Sequence, residues 1–204
     1  WLKIGKAGKL MPPFIFGGPY MSRLQKIDYK SPIGIIEIEG TDEAIYSILF
    51  SERDQILNVI HDDTPMVLKL CRDQLDEYFK GKLTEFTFPY IYEGTVFQKT
   101  VWNSLKEVPY GQTWSYKDIA ISIENEKAIR AVGSANGKNK LSIVIPCHRI
   151  IGANGQLTGY AGGLWRKEWL LKHERLLKKE VVGFKSIRNE NHNKNLIYLW
   201  YGSP

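Results

Sequence analysis

The hydrophobic and polar positions divide the chain into strand-like and helix-like stretches. From residue 24 to 50 the pattern is extended. Ile35, Glu37 and Glu39 alternate with Ile36 and Ile38, and Ala44 to Phe50 is rich in β-formers. Ser31-Pro32 and Gly40-Thr41-Asp42 punctuate these runs as turns. The spacing then becomes helical: Val67, Leu70, Cys71, Leu75 and Tyr78 fall on one face. Thr64 is placed to cap that helix, Pro65 suits its first position, and Gly81 stops it. Cys71, on the apolar face, reads as core packing. Phe86 to Tyr92 is extended again, and Glu93-Gly94-Thr95 marks the end of an α/β first half.

The second half is mostly helical. Phe97, Val101, Trp102 and Leu105 share a face that Thr95 or Gly94 opens and Val108-Pro109-Tyr110-Gly111 closes. Ser115 caps a short helix in which Tyr116, Ile119, Ala120 and Ile123 recur. After a break at Glu124-Asn125 a third helix runs over about residues 126–136. Two short helices joined by a tight turn have the outline of a helix-turn-helix. The apolar run Leu141-Ser142-Ile143-Val144-Ile145 reads as a strand, and a helix over about 164–177 buries Leu170, Leu171 and Leu177. The organisation expected is an α/β domain over 21–92 and a mainly α domain over 93–178. Residues 1–20, broken by Pro12, Pro13 and Pro19, lack the continuous apolar stretch of a signal peptide and read as an extension ahead of a natural start at Met21. Residues 179–204, Asn-rich and then aromatic, read as a tail.

Composition narrows the chemistry. The 204 residues carry a net charge of +6 with a pI of about 9.2, which favours a polyanionic partner. Cys71 and Cys147 make neither a disulfide framework nor a metal-binding spacing, so no metal is expected. They fit a reduced intracellular compartment, the cytoplasm or a eukaryotic nucleus. No apolar run approaches the roughly 20 residues that span a bilayer, so no membrane partner is expected.

The candidate chemistry centres on Ile145-Pro146-Cys147-His148-Arg149, where an apolar run gives way to the loop Gly152-Ala153-Asn154-Gly155. Cys147 is either a small buried thiol or a nucleophile beside a histidine. Glu174 lies four and three residues beyond Leu170 and Leu171 and therefore points inward. A buried carboxylate needs a partner. That partner is His148, giving a Glu174–His148–Cys147 relay, or it is an arginine or lysine; both remain open. The helix around Ala128 to Gly137 carries mostly tiny side chains, with Arg130 its single long one. Small residues either bring a backbone close to a DNA groove without reading sequence, or pack helices tightly. Arg130 is a phosphate or surface ion-pair contact, or a side chain that fills the space of an extruded base. Tyr160-Ala161-Gly162-Gly163 forms a loop whose adjacent glycines tolerate close approach of a planar ligand.

Together these residues resemble the methylated-DNA–protein-cysteine alkyltransferases, which repair O6-alkylguanine. The match lies in Pro146-Cys147-His148-Arg149, Tyr160-Ala161-Gly162-Gly163, Lys167-Glu168-Trp169-Leu170-Leu171, Gly111-Gln112-Thr113-Trp114-Ser115-Tyr116 and Arg130-Ala131-Val132-Gly133. It is dense over about 95–177 and looser over 22–92. The resemblance implies a ribonuclease-H-like α/β N-terminal domain and a C-terminal domain with a winged-helix-like helix-turn-helix. It implies that Cys147 is the alkyl acceptor, that His148 takes its proton through a bound water, and that Glu174 partners His148. By the same resemblance Asn139 braces the active-site turn and Tyr116 helps rotate the nucleotide out. Arg130 takes the base's place, with Ala131, Gly133, Ser134 and Ala135 along the DNA. Tyr160, Ala161, Gly162, Ile150 and Trp165 are implied to line the base pocket. Ala161 departs from members that carry a serine there, removing a hydroxyl near O6.

The activity so implied is a single, irreversible transfer from O6-methylguanine in DNA, with O4-methylthymine as a further substrate, after base flipping. The implied partner is double-stranded DNA bearing alkylated bases, bound by a monomer without sequence preference. No organic cofactor is implied. A cysteine hydrolase and a lesion-binding protein with an inert thiol are the competing readings.

Overall fold

The computed structural model describes residues 23–175. The expected extension at 1–20, the tail at 179–204 and Leu177 lie outside the described residues. Three strands, β1 (Gln25–Ser31), β2 (Gly34–Gly40) and β3 (Ile45–Phe50), form an antiparallel sheet in that order. Its registers place Ile27 opposite Ile38 and Ile38 opposite Ile48, so one row of isoleucines crosses all three strands. All three are essentially inaccessible to water. Aligned β-branched pairs of this kind stabilise a sheet and fix its register.

Helix α1 (Met66–Phe79) packs on that sheet, and two expectations about it need correction. Pro65, not Thr64, stands at the N-cap, and no side chain caps the helix. The Thr64 hydroxyl instead accepts from the His61 N–H at 2.9 Å, tightening the turn before the helix. The buried stripe is Leu68, Cys71, Gln74, Leu75, Tyr78 and Phe79, whereas Leu70 is largely exposed. Gln74 occupies the stripe because both ends of its amide are used. Its Nε2 donates to Thr87 Oγ1 at 2.6 Å, and its Oε1 accepts from the Thr87 N–H at 2.8 Å. Only Tyr90 of the expected strand over 86–92 forms a bridge, to Ile45.

Helix α2 (Val96–Lys106) opens with a reciprocal cap between Thr95 and Gln98. Helix α3 (Tyr116–Ser122) opens with the same device between Ser115 and Asp118. Each such cap satisfies backbone donors and contributes about 1 kcal/mol. A short 3-10 turn, Glu126–Ala128, leads into α4 (Ile129–Gly137), so α3 and α4 form two helices joined by a turn. The two-residue strands β4 (Trp114–Ser115) and β5 (Ile150–Ile151) pair in parallel and tie the start of α3 to the chain just after Cys147. Helix α5 is described over 164–175. Among the described residues no helix is long and apolar enough to cross a membrane.

The run Leu141 to Ile145 is not a strand. It makes one bridge to β3, with the Ile48 N–H donating to Lys140 O at 2.7 Å and the Ser142 N–H donating to Ile48 O at 3.0 Å. Then it turns, with Ile143 at φ 72°. The Asn139 side chain supplies the partners a ladder would have given, accepting from the Leu141 N–H and donating to Ile145 O, each at 2.9 Å. The single bridge still seats the chain before Cys147 on the N-terminal sheet.

Candidate active site

Cys147, His148 and Arg149 form a 3-10 turn whose three side chains are all buried. Asn139 braces it from the side: its Nδ2 lies 3.1 Å from Cys147 Sγ as well as 2.9 Å from Ile145 O. Burial pushes the Cys147 thiol above its ordinary pKa. The Asn139 amide, the Lys167 ammonium and the N–H groups of Cys147 and His148 act in the opposite direction.

Glu174, wholly buried on α5, receives both partners that the sequence left as alternatives. His148 Nε2 is 2.8 Å from Oε1, Arg149 Nη2 is 3.0 Å from the same oxygen, and Arg149 Nε is 2.9 Å from Oε2. Tyr78 Oη and the Gly111 N–H also donate to it, at 2.9 and 3.0 Å. Burial alone would raise this carboxyl, but His148 and Arg149 outweigh it and hold it well below the usual carboxylate range. Burial holds His148 below its ordinary value against the pull of Glu174. At neutral pH the imidazole is therefore neutral and the carboxylate ionised, and Arg149 is the true ion-pair partner. Nε2–H donates to Glu174, which leaves Nδ1 with its lone pair free. Nδ1 is buried and has no hydrogen-bond partner among the described residues. That tautomer can accept a proton.

Lys167 is a site residue that the sequence reading did not single out. It is buried, donates to Thr158 O at 2.7 Å, and is brought down to about 8 by burial, with Cys147 opposing. Its signal was present: Lys167 precedes Leu170 and Leu171 by three and four residues, the same face as Glu174. The sequence left the arginine open without naming Arg149, and Tyr78 and Gly111 were missed as partners of Glu174. Nothing in the sequence brings the last two near α5.

The loop after β5 covers this centre. Tyr160 is half-buried, and its hydroxyl has no hydrogen-bond partner among the described residues. Its ring packs on Phe50 of β3 at 6.3 Å between centroids. Gly162 is buried against the same phenylalanine, and a Cβ there would stand 2.6 Å from the Phe50 ring. Arg166 fastens this loop to the sheet, donating to Gly162 O, Ile33 O and Glu52 Oε1, each at 2.9 Å. Tyr116 reaches across from α3, its hydroxyl 3.3 Å from Thr158 O. Ala161 is exposed.

The five expected contact residues on α4 stand differently from one another. Arg130, Ala131 and Ser134 are exposed on α4, and Gly133 faces the Tyr116 ring. Ala135 does not share their surface: it is 2% exposed and its carbonyl accepts from Trp102 Nε1 at 2.9 Å, because helical periodicity turns it toward α2. Two pocket expectations also change. Ile150 is fully buried in β5, paired with Trp114, and serves the core. Trp165 is 56% exposed and lies against the Arg166 guanidinium at 4.6 Å. Among the described residues no group of three or more His, Cys, Asp or Glu side chains is arranged to hold a metal ion.

Two family descriptions match the chain in sequence order. The ribonuclease-like domain of 6-O-methylguanine DNA methyltransferases matches residues 26–90, and their DNA-binding domain matches 96–176. A methylated-DNA–protein-cysteine methyltransferase of Methanosarcina acetivorans is 47% identical over 148 residues, covering 72% of this chain and 95% of the relative. The constitutive enzyme of that name from Bacillus subtilis is 40% identical over 158 residues, covering 74% and 95%. The crystal structure of Mycobacterium tuberculosis O6-methylguanine methyltransferase superposes with a TM-score of 0.67 at 39% identity, covering 76% of this chain and 94% of that one. Mycobacterium tuberculosis OGT in complex with DNA gives 0.66 at 42% identity, covering 76% and 93%. With both domains matched in order, and relatives at this identity covered almost from end to end, the chain belongs to the 6-O-methylguanine DNA methyltransferase family.

Proposed function

We propose that this protein repairs DNA by moving the methyl group of O6-methylguanine onto Cys147, and that each molecule does so once. The observation that carries the reading is the buried line of Glu174, His148 and Cys147, with Asn139 on the sulfur and a proton-accepting His148 Nδ1. His148 draws the thiol proton through a water, and the Lys167 charge favours the thiolate. Sγ attacks the methyl carbon in line with the C–O6 bond. The S–C bond forms, the C–O6 bond breaks, and its electron pair passes to guanine as the anion, which a proton from the Tyr116 hydroxyl or from solvent neutralises. The product is a thioether with no easy leaving group, hence the single turnover.

A methyl carbon inside a duplex is out of reach of a buried sulfur. The base is therefore flipped out, at a cost of a few kcal/mol, into the space between Tyr160, Tyr116 and the turn. Helices α3 and α4 act as the helix-turn-helix, and exposed Arg130 fills the vacated stack. Ala131 and Ser134 present small side chains to the groove, which supports binding without sequence preference by a monomer. O4-methylthymine exposes a comparable methyl carbon and is a second substrate. A reactive free thiol fits a reducing intracellular compartment.

The test is to incubate the protein with a duplex carrying O6-methylguanine and map its peptides by mass. The peptide containing Cys147 gains one methylene unit of mass, with one transfer per protein. An unmodified Cys147 peptide, or continued turnover, overturns the proposal.

A further inference from the structure

The carboxylate that partners His148 is held from the N-terminal half of the chain as well as from its own. Tyr78 lies near the end of α1, and its hydroxyl donates to Glu174 Oε1 at 2.9 Å, the oxygen that also accepts from His148. The phenol has no freedom to point elsewhere. Its ring is packed by Phe79, Phe86, Tyr110 and His173, and His173 Nε2 lies 2.8 Å from the Tyr78 carbonyl. We propose that Tyr78 is a positioning residue for alkyl transfer, which sets how much negative charge Glu174 presents to His148 and so makes the N-terminal domain part of the proton relay. This rests on the relay proposed above.

Oε1 divides its charge among three donors: His148 Nε2, Arg149 Nη2 and Tyr78 Oη. Oε2 serves Arg149 Nε and the Gly111 N–H. A donor removed from Oε1 concentrates charge on the remaining two, and a more negative neighbour stabilises the imidazolium. The other titratable groups around this centre are Tyr110, under the Arg149 guanidinium at 5.5 Å, His173 and Lys167 on α5, and Cys147. None of them bonds to Oε1. Burial and the Glu174 charge keep the Tyr78 phenol protonated, so it donates throughout the working pH range.

Tyr78→Phe deletes the hydroxyl alone and leaves Oε1 with two donors. The His148 imidazole, followed by NMR in the full chain, then titrates higher by roughly half a unit to one unit. The acid limb of the methyl-transfer rate moves up with it. Phe79→Leu loosens the same packing without touching Glu174, and leaves both unchanged. Fluorotyrosine at position 78, a stronger donor with the ring retained, moves both downward. Coincident titrations in wild type and Tyr78→Phe overturn the proposal, as does an equal shift in Phe79→Leu or an upward shift with fluorotyrosine. A wild type that gains no methyl on Cys147 overturns the alkyl-transfer reading itself, while the His148 titration still reports whether Tyr78 tunes the imidazole.

Discussion

Arg149 grips both oxygens of Glu174, Nε on Oε2 at 2.9 Å and Nη2 on Oε1 at 3.0 Å, inside the protein. The residue next to the imidazole thus neutralises the carboxylate that orients it. Removing the carboxylate strands a buried guanidinium. Glu174→Gln therefore costs about 3–5 kcal/mol of stability, measured by urea denaturation at pH 7. The sign with pH is fixed by the depressed carboxyl. Its stabilisation is present above the unfolded value near 4.5 and is lost as pH falls below that toward the folded value. The gap between wild type and Glu174→Gln accordingly narrows on acidification. A gap that widens below pH 4 contradicts the pairing.

Asn139 does three things with one amide: it accepts from the Leu141 N–H, donates to Ile145 O and touches Cys147 Sγ. Asn139→Ala leaves buried backbone groups unpaired, at about 1–3 kcal/mol. It also removes a donor that favours the thiolate. Methyl transfer to Cys147 slows, and the thiol pKa read from its ultraviolet absorbance rises. Asn139→Asp, with an added negative charge beside the sulfur, raises it further.

Lys167 places its charge near the sulfur. In Lys167→Met the thiolate loses that support, and transfer at pH 7 slows by about three- to tenfold. Above pH 8, where the wild-type ammonium loses its proton, the difference shrinks. Stability rises with pH here in the same sense as for the depressed carboxyl, but in a higher window. The folded protein holds the Lys167 proton less tightly than the unfolded chain does, so wild type gains stability relative to Lys167→Met between about pH 8 and 10.5. Parallel denaturation series at pH 7, 9 and 10.5 check this.

Local signals carried most of the fold. The Thr95 and Ser115 caps, the Ile36 and Ile38 alternation and the turn between α3 and α4 are each written in a few adjacent residues. Glu174 was placed correctly as inward because its spacing from Leu170 and Leu171 is a property of one helix. The failures share a cause: burial and hydrogen-bond partners are set by the folded chain rather than by the local pattern of apolar residues. Leu141 to Ile145 has the composition of a strand, yet β3 offers it one bridge and Asn139 takes the remaining hydrogen bonds. Gln74 sits in a buried stripe because Thr87 meets it there. Ala135 and Ile150 lie just beyond the family motifs, and their side chains serve the core beneath the surface those motifs build.

Arg130 stands exposed at the start of α4. A side chain that fills the stack matters only when there is a stack. Arg130→Ala lowers transfer from duplex DNA by about ten- to hundredfold, the equivalent of the few kcal/mol that flipping costs. Transfer from the free base O6-methylguanine is unchanged. A phosphate contact would behave differently, weakening binding to all duplexes and reducing the slope of binding against salt by about one. Rates on both substrates, with binding measured at several salt concentrations, separate the two.

The pocket loop leans on Phe50 of the N-terminal sheet in addition to its Arg166 tie. A Cβ at Gly162 would stand 2.6 Å from Phe50 Cδ2 and 2.9 Å from Tyr160 Cε1, closer than side-chain atoms approach one another. Gly162→Ala must therefore push Phe50 or the Tyr160 wall aside, at about 1–3 kcal/mol for overpacking. Phe50→Leu removes the obstructing ring edge at its own cost. The double variant should be more stable than the sum of the two single losses predicts, a coupling of about 0.5–3 kcal/mol for residues in contact. Alkyl transfer should recover alongside, because the Tyr160 wall of the pocket returns to its place. Additive losses across the cycle would show that the loop does not rest on Phe50, and that Arg166 alone ties the pocket to the sheet.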